Sequence, residues 1–256
     1  RDPEMSRGLG DVYKRQQYLF LHKSFEFPKA DKVSLALLKF FTVLTSLGAK
    51  ERLALSFRYM KDDPQNNIRV IPPLLRKEVT LHEPYSGDYI HGYMVNAGFS
   101  ENVMKWHRQH PRIPLRFFWD KWEEEPVKRV DNTLSFYQLD DVEFLRQMAG
   151  CKAYASTAGF ESVCEAMYLG KPILMVPAHI EQDCNAYDAE KSGAGIISSD
   201  FNLQQLLEFA KDYHPNRDFV YWVRGAEYTL LNLLESDSSN YQQVLFNEMY
   251  LVEEFI

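Results

Sequence analysis

The sequence predicts an α/β fold: a Rossmann-like parallel sheet flanked by helices, preceded by part of a second domain. Three observations carry this. Residues 153–156 (AYAS) and 173–176 (ILMV) are apolar runs of strand length. Between them, Phe160, Val163, Cys164 and Met167 fall at i, i+3, i+4 and i+7, one face of a helix. Gly170 then stands where a helix stops. Strand, turn, helix and strand in so little chain make a βαβ unit, whose strands run parallel.

Composition narrows the class. A chain of 256 residues allows one or two domains. A net charge of -7 argues against a general nucleic-acid binder. Cys151, Cys164 and Cys184 show no metal spacing, and their odd number favours free thiols in a reducing compartment, so a cytoplasmic location is expected. No apolar run reaches the length of a membrane span.

The elements follow in order. Residues 1–16 (RDPEMSRGLGDVYKRQ) lack the apolar core of a signal peptide and look like translated sequencing adapter. They are set aside, and the native chain is expected to begin near Gln17, cut from a longer gene. Residues 17–27 predict a strand and a loop ended by Pro28. Residues 33–47 predict a helix that buries Leu35, Leu38, Phe41 and Val43, and 54–59 a strand. After a turn at 62–67, residues 68–75 read as a strand entering the next domain, with Pro72 and Pro73 as a stiff linker. Residues 76–87 are polar and read as a surface loop.

Residues 89–96 predict a strand, and Ser100 caps a helix over 101–110 that stops before Pro111. Strands follow at 115–119 and 133–137, separated by a charged, solvated loop at 120–130. Asp140 caps a helix over 141–149. His91, His107 and His110 have no evident partner and read as surface or core-filling residues. Beyond the βαβ unit, Gly193-Ala194-Gly195 closes a second helix and Ile196 begins a strand. Helices are predicted at 203–213, begun by Asn202, and at 219–234. Residues 241–256 suggest a short helix of unassigned role.

The chemistry gathers at strand ends. Small residues at 157–159 let a ligand approach the backbone. The amides near Phe160 to Ser162 open a helix and form a ready phosphate site. Glu165 lies one turn further in, and a carboxylate there accepts two hydroxyl hydrogen bonds, as a ribose requires. By spacing alone, Gly159 serves equally as a plain turn and Glu165 as a surface acid. Glu181, Gln182 and Asn185 offer partners to sugar hydroxyls, although Glu181 or Asp183 also suits a helix cap and Asn185 suits water.

Taken together, T-A-G-F-x-S-V-x-E-A (157–166), G-K-P-x-L-x-V-P (170–177), E-Q-x-x-N-A (181–186) and G-x-G-I (193–196) resemble the donor-site signature of GT-B glycosyltransferases. The likeness is nearest to the bacterial branch that holds the lipid-linked N-acetylglucosaminyl transferase of peptidoglycan synthesis, in the C-terminal part of glycosyltransferase family 28. It covers about residues 68–235. It implies a remnant of the acceptor domain at 17–67, a nucleotide-sugar-binding domain at 68–235 and a tail at 236–256.

The resemblance also implies roles. Thr157, Ala158, Gly159, Phe160, Glu161 and Ser162 would hold the diphosphate of a UDP-sugar, Glu165 its ribose, and Glu181, Gln182 and Asn185 its sugar. The backbone at Leu139 would meet the uracil edge, where L-D-D also fits a plain strand-to-helix turn. Asn96, Ala97 and Gly98 take the place of a small-residue loop against the phosphates and depart from its glycine-serine-rich form. Neither a cofactor nor a metal is implied, because the nucleotide sugar is a substrate and no DxD-like motif sits in this site. The general base would come from the largely missing N-terminal half, so no catalytic residue is named and the fragment alone is expected to be inactive. That half would also make any peripheral membrane contact, and the acceptor would be a sugar or lipid-linked hydroxyl. Two other readings remain: a UDP-sugar epimerase of the same fold, and a truncated module that binds a nucleotide sugar without activity.

Overall fold

The computed structural model describes residues 12–49, 51–95, 97–121 and 125–235. They form two compact units. One combines the residues up to Leu74 with those from Tyr221, and the other is Leu75–Val220.

In the first unit, strand β1 (Val12–Arg15), helix α1 (Lys32–Leu44), β2 (Glu51–Leu55) and β3 (Ile68–Ile71) build a parallel sheet of order β1-β2-β3. Two expectations are corrected here. Val12–Arg15 pair with Glu51–Ala54, so the described end of the segment set aside takes part in the fold. The strand predicted over 17–27 is instead a 3-10 helix, Gln16–Leu21. Tyr18, Leu19 and Phe20 are all buried in succession, which a pleat with one wet face does not allow.

Helix α1 starts where Asp31 accepts the Ser34 amide at 2.8 Å. Its buried face is Leu38 and Thr42, whereas Leu35 is half-buried and Phe41 and Val43 are exposed. Apolar residues lie nearly all round this helix, Val33, Leu37, Phe40 and Leu44 among them, so periodicity singles out no one face. Pro72 and Pro73 follow the end of β3, as residues that cannot donate to a ladder must.

The second unit holds β4 (Ile90–Met94), α2 (Ser100–Gln109), β5 (Leu115–Trp119), β6 (Val127–Arg129), β7 (Leu134–Gln138), α3 (Asp141–Gly150), β8 (Ala153–Ser156), α4 (Phe160–Tyr168), β9 (Ile173–Met175), α5 (Ile180–Lys191), β10 (Gly195–Ile197) and α6 (Leu203–Phe209). The sheet runs β10-β9-β8-β4-β5-β7-β6, parallel except for β6. Leaving β6 aside, this is the doubly wound order, and the chain reverses direction across the sheet between β4 and β8.

Both faces of that sheet are buried, as parallel sheets demand. One face carries Ile90, Met94, Phe117, Trp119, Ala155 and Leu174 under Trp106 and Leu206 of the flanking helices. The opposite face carries His91, Phe118 and Tyr154 under Phe144 of α3. Gly92 leaves room on its strand for the ring of Phe117, because a Cβ there would lie 2.2 Å from that ring.

Several local expectations are corrected. Residues 97–99 wind into a 3-10 turn that runs on into α2, so Ser100 is already helical and Phe99 holds the cap position. The loop expected over 120–130 contains the exposed edge strand β6, paired antiparallel with β7. The loop at 76–87 contains a 3-10 helix, Lys77–Leu81, which buries Val79. The single helix expected over 219–234 is two, α7 (Arg217–Arg224) and α8 (Ala226–Glu235), parted at Gly225. The helix suggested at 241–256 lies outside the described residues.

Candidate functional site

The switch between β4 and β8 determines where a ligand fits. In open α/β sheets the crevice lies beyond the C-terminal strand ends at the point where strand order reverses. Tyr93 of β4 is in register with Ser156 of β8, so both strands end together. The 97–99 turn leaves one and Thr157-Ala158-Gly159 leaves the other. Residues 178–179 leave β9 beside them, and Leu139 leaves β7 at the same edge, beyond β5.

The turn after β8 is built to present amides. Ala158 adopts a left-handed backbone (φ 60°), an uncommon state for a residue with a Cβ. Ser156 supports the turn, its hydroxyl accepting the Ala158 amide at 3.1 Å. Gly159 then stands at the N-cap of α4 without a side-chain cap. Val163 donates to the Gly159 carbonyl at 3.1 Å, and the amides of Glu161 and Ser162 precede that bond in the first turn. The positive end of the helix dipole lies there too.

Buried polar atoms without protein partners stand at this edge, two of them on residues expected to meet the donor. Thr157 Oγ1 and Asn185 Oδ1 make no hydrogen bond, although both residues are almost wholly buried. Such atoms are costly unless something satisfies them. Gln182 has a structural duty, since its Oε1 accepts the Ala178 amide at 2.9 Å and fixes the β9–α5 loop. Glu181 is half-buried in the first turn of α5 and His179 takes the cap, so neither Glu181 nor Asp183 is the capping residue. Gly98 is exposed in its turn, and Leu139 is exposed just before Asp140, whose carboxylate caps α3 by accepting the Glu143 amide at 2.8 Å.

Glu165 is 2% exposed and does not face water as a surface acid would. Arg76 grips it with two bonds, Nε to Oε1 at 2.6 Å and Nη2 to Oε2 at 2.8 Å. The third guanidinium nitrogen, Nη1, reaches Asp141 Oδ1 at 2.7 Å. Burial pushes the Glu165 carboxyl upward, and the Arg76 bonds pull against that. Arg76 was not singled out from the sequence. It lies 89 residues from Glu165 in a stretch that reads as polar loop. A lone arginine after an apolar run carries no signal of its own.

Elsewhere Cys151, Cys164 and Cys184 are buried thiols, none of them in a disulfide. Among the described residues, no group of three or more His, Cys, Asp or Glu is placed to hold a metal. No described helix is long and apolar enough to cross a membrane.

The fold has solved counterparts. The glycotransferase of kitacinnamycin aligns with TM-score 0.52 and 14% identity over 70% of this chain and 51% of that one. The calicheamicin glycosyltransferase CalG4 aligns with TM-score 0.50 and 11% identity, covering 78% and 56% of the two chains. UGT89C1 of Arabidopsis thaliana, solved with UDP-L-rhamnose, aligns with TM-score 0.50 and 13% identity, covering 86% and 60%. At these identities the likeness concerns fold, and it bears out the expected parallel α/β architecture of GT-B glycosyltransferases. The chain spans about half the length of the first of these, 51%. Among curated proteins no relative matches. The family model described as Glycosyl transferase family 1 matches residues 26–213, most of the chain, which therefore belongs to glycosyl transferase family 1.

Proposed function

We propose that this chain is the donor-binding part of an enzyme that moves a sugar from a UDP-sugar to an acceptor hydroxyl. The observation that carries the reading is the coincidence at one edge of three features. These are the topological switch between β4 and β8, the uncapped start of α4, and the unpartnered buried atoms Thr157 Oγ1 and Asn185 Oδ1. A diphosphate, ribose and sugar together would meet all three. The relative solved with UDP-L-rhamnose supports a UDP-linked donor. The order of the four motifs supports nearer kinship with the family 28 branch.

In this reading the amides of Glu161 and Ser162 face the diphosphate, with Thr157, Ala158, Gly159 and Phe160 shaping the turn around it. As the sugar departs, negative charge grows on the leaving UDP. Oriented amides at a helix start stabilise such charge without reorganising. Thr157 Oγ1 would donate to an oxygen of the donor, and Asn185 Oδ1 would accept a sugar hydroxyl. Glu181 and Gln182 would flank that sugar, Glu165 would accept the ribose hydroxyls, and the turns at Gly98 and Leu139 would border the phosphates and the uracil. No bound metal or cofactor is assigned to this step. The acceptor is a sugar or lipid-linked hydroxyl, and the apolar residues exposed on α1 support a contact with lipid. Membership of a transferase family does not favour the epimerase reading.

Calorimetric titration of the chain with UDP, GDP and ADP tests the proposal. UDP is expected to bind, and Thr157→Val and Asn185→Ala to weaken it about tenfold each, the order of a hydrogen bond to a charged or buried group. A folded chain that binds none of the three, or binds all three alike and ignores both substitutions, would count against it.

A further inference from the structure

We propose that Arg76 is the positioning residue for the donor's ribose, holding the Glu165 carboxylate in a fixed plane through its bridge to Asp141. This assignment rests on the donor-site reading above and deepens it.

The geometry is that of a clamp. Nε and Nη2 of Arg76 meet the two Glu165 oxygens side by side, at 2.6 and 2.8 Å. A guanidinium is planar and permanently charged, so a paired contact of this kind sets the carboxylate's orientation as well as its position. Asp141 holds the third nitrogen at 2.7 Å. With the Asp141 side chain 76% exposed, that outer pair adds little stability, but it restrains the guanidinium from rotating. A carboxylate offers about four acceptor sites, and Arg76 takes two. Two remain, the number that a pair of adjacent hydroxyls requires. The ring of Phe144 backs the guanidinium at 5.9 Å.

The surroundings explain why a clamp is needed. Glu165 is almost entirely out of water, which disfavours its charge. Glu161 on its own helix and Asp141 at the start of α3 are like charges that push the same way. Cys164 and Tyr154, the other titratable groups that sense it, are buried with their own proton affinities raised. Arg76 lies within hydrogen-bond reach and opposes all of these. Without it, Glu165 would take up a proton at a higher pH and lose acceptor capacity for a ribose. Asp141 opens the helix that follows Leu139, so the clamp also ties the turn expected to meet the base to the helix expected to meet the ribose.

The test uses the whole chain. The Glu165 side chain is titrated by carboxyl carbon NMR, and UDP binding is measured by calorimetry at pH 6, 7 and 8, for the native chain, Arg76→Gln and Arg76→Lys. The terminal phosphate of UDP itself loses a proton at about pH 6, so each variant's affinity is read as a ratio to the native chain's at the same pH. In Arg76→Gln the Glu165 titration moves upward, and UDP binding is weakest at pH 6, about tenfold below native, recovering toward pH 8. One pKa unit corresponds to a factor of ten. Arg76→Lys, which keeps the charge without the fork, falls between them and carries the test should the glutamine variant fail to fold. A merely structural ion pair predicts instead a pH-independent loss or none. A ratio of Arg76→Gln to native UDP affinity that stays flat with pH, or an unmoved Glu165 titration, overturns this assignment alone. Absence of UDP binding in the native chain overturns the donor reading and this assignment with it.

Discussion

Trp222 donates its indole N–H to the backbone carbonyl of Ser56 across 3.1 Å, joining positions 166 residues apart. The bond is buried, and Tyr59 packs edge-on against the same indole with ring centroids 5.6 Å apart. It fastens α7 to the end of β2 within the first unit, where α8 also packs on β3. Trp222→Phe keeps the ring and strands the Ser56 carbonyl, at a cost of about 1–3 kcal/mol. Trp222→Ala also leaves a cavity and costs about 3–5 kcal/mol. Urea unfolding followed by circular dichroism reads both. Equal losses for the two variants would show that the hydrogen bond, and not the ring, dominates.

His91 predicts acid sensitivity. It is fully buried on β4, stacked on Tyr154 and edge-on to Phe118 and Phe144. Burial first, with the charge of Arg116 behind it, lowers its pKa from 6.5 to about 3. The folded state therefore keeps the ring neutral while the unfolded chain takes up a proton below 6.5. This contribution is fully present above that value and is lost as pH falls from 6.5 toward 3. The slope reaches about 1.4 kcal/mol per pH unit at most. Stability measured at intervals from pH 7 to pH 4 should fall in the native chain and fall less steeply in His91→Phe. Parallel curves would remove His91 from the explanation.

Two backbone positions predict opposite signs. Gly92→Ala drives a methyl into the Phe117 ring at the middle of the sheet and should cost about 1–3 kcal/mol or more. Ala158→Gly relieves a left-handed backbone at φ 60° and should leave stability unchanged or raise it by up to about 1 kcal/mol. Thermal unfolding of both variants checks the pair. A loss at Ala158→Gly would mean that its methyl packing outweighs the strain.

Much of the second unit was legible because its signals are local. Phe160, Val163, Cys164 and Met167 mark α4, and Gly170 ends it with φ 67°. Asp140 and Asn202 cap the helices that they were expected to cap. What stayed hidden depends on distant partners. Residues 127–129, a valine and two basic residues, are exposed and become a strand only by pairing with β7. Tyr18 to Phe20 look like a strand and coil because they are buried on every side. The site shows the same division. The turn at 157–159 could be read from its small residues, whereas the Arg76 clamp on Glu165 joins residues that no local pattern connects.

The central claim is that a nucleotide donor sits beyond the C-terminal ends of β4 and β8. The most direct measurement is a map of backbone amide shifts when UDP is added to the isotope-labelled chain. The predicted changes centre on Thr157 to Ser162, with smaller ones at Gly98, Leu139 and Asn185, and they vanish in Glu165→Ala at the same UDP concentration. The opposite edge of the sheet supplies the control, a cavity of about 510 Å³ lined by Tyr85, Lys152, Tyr168 and Tyr213. Shifts gathered around that cavity, or none at saturating UDP, would contradict the account.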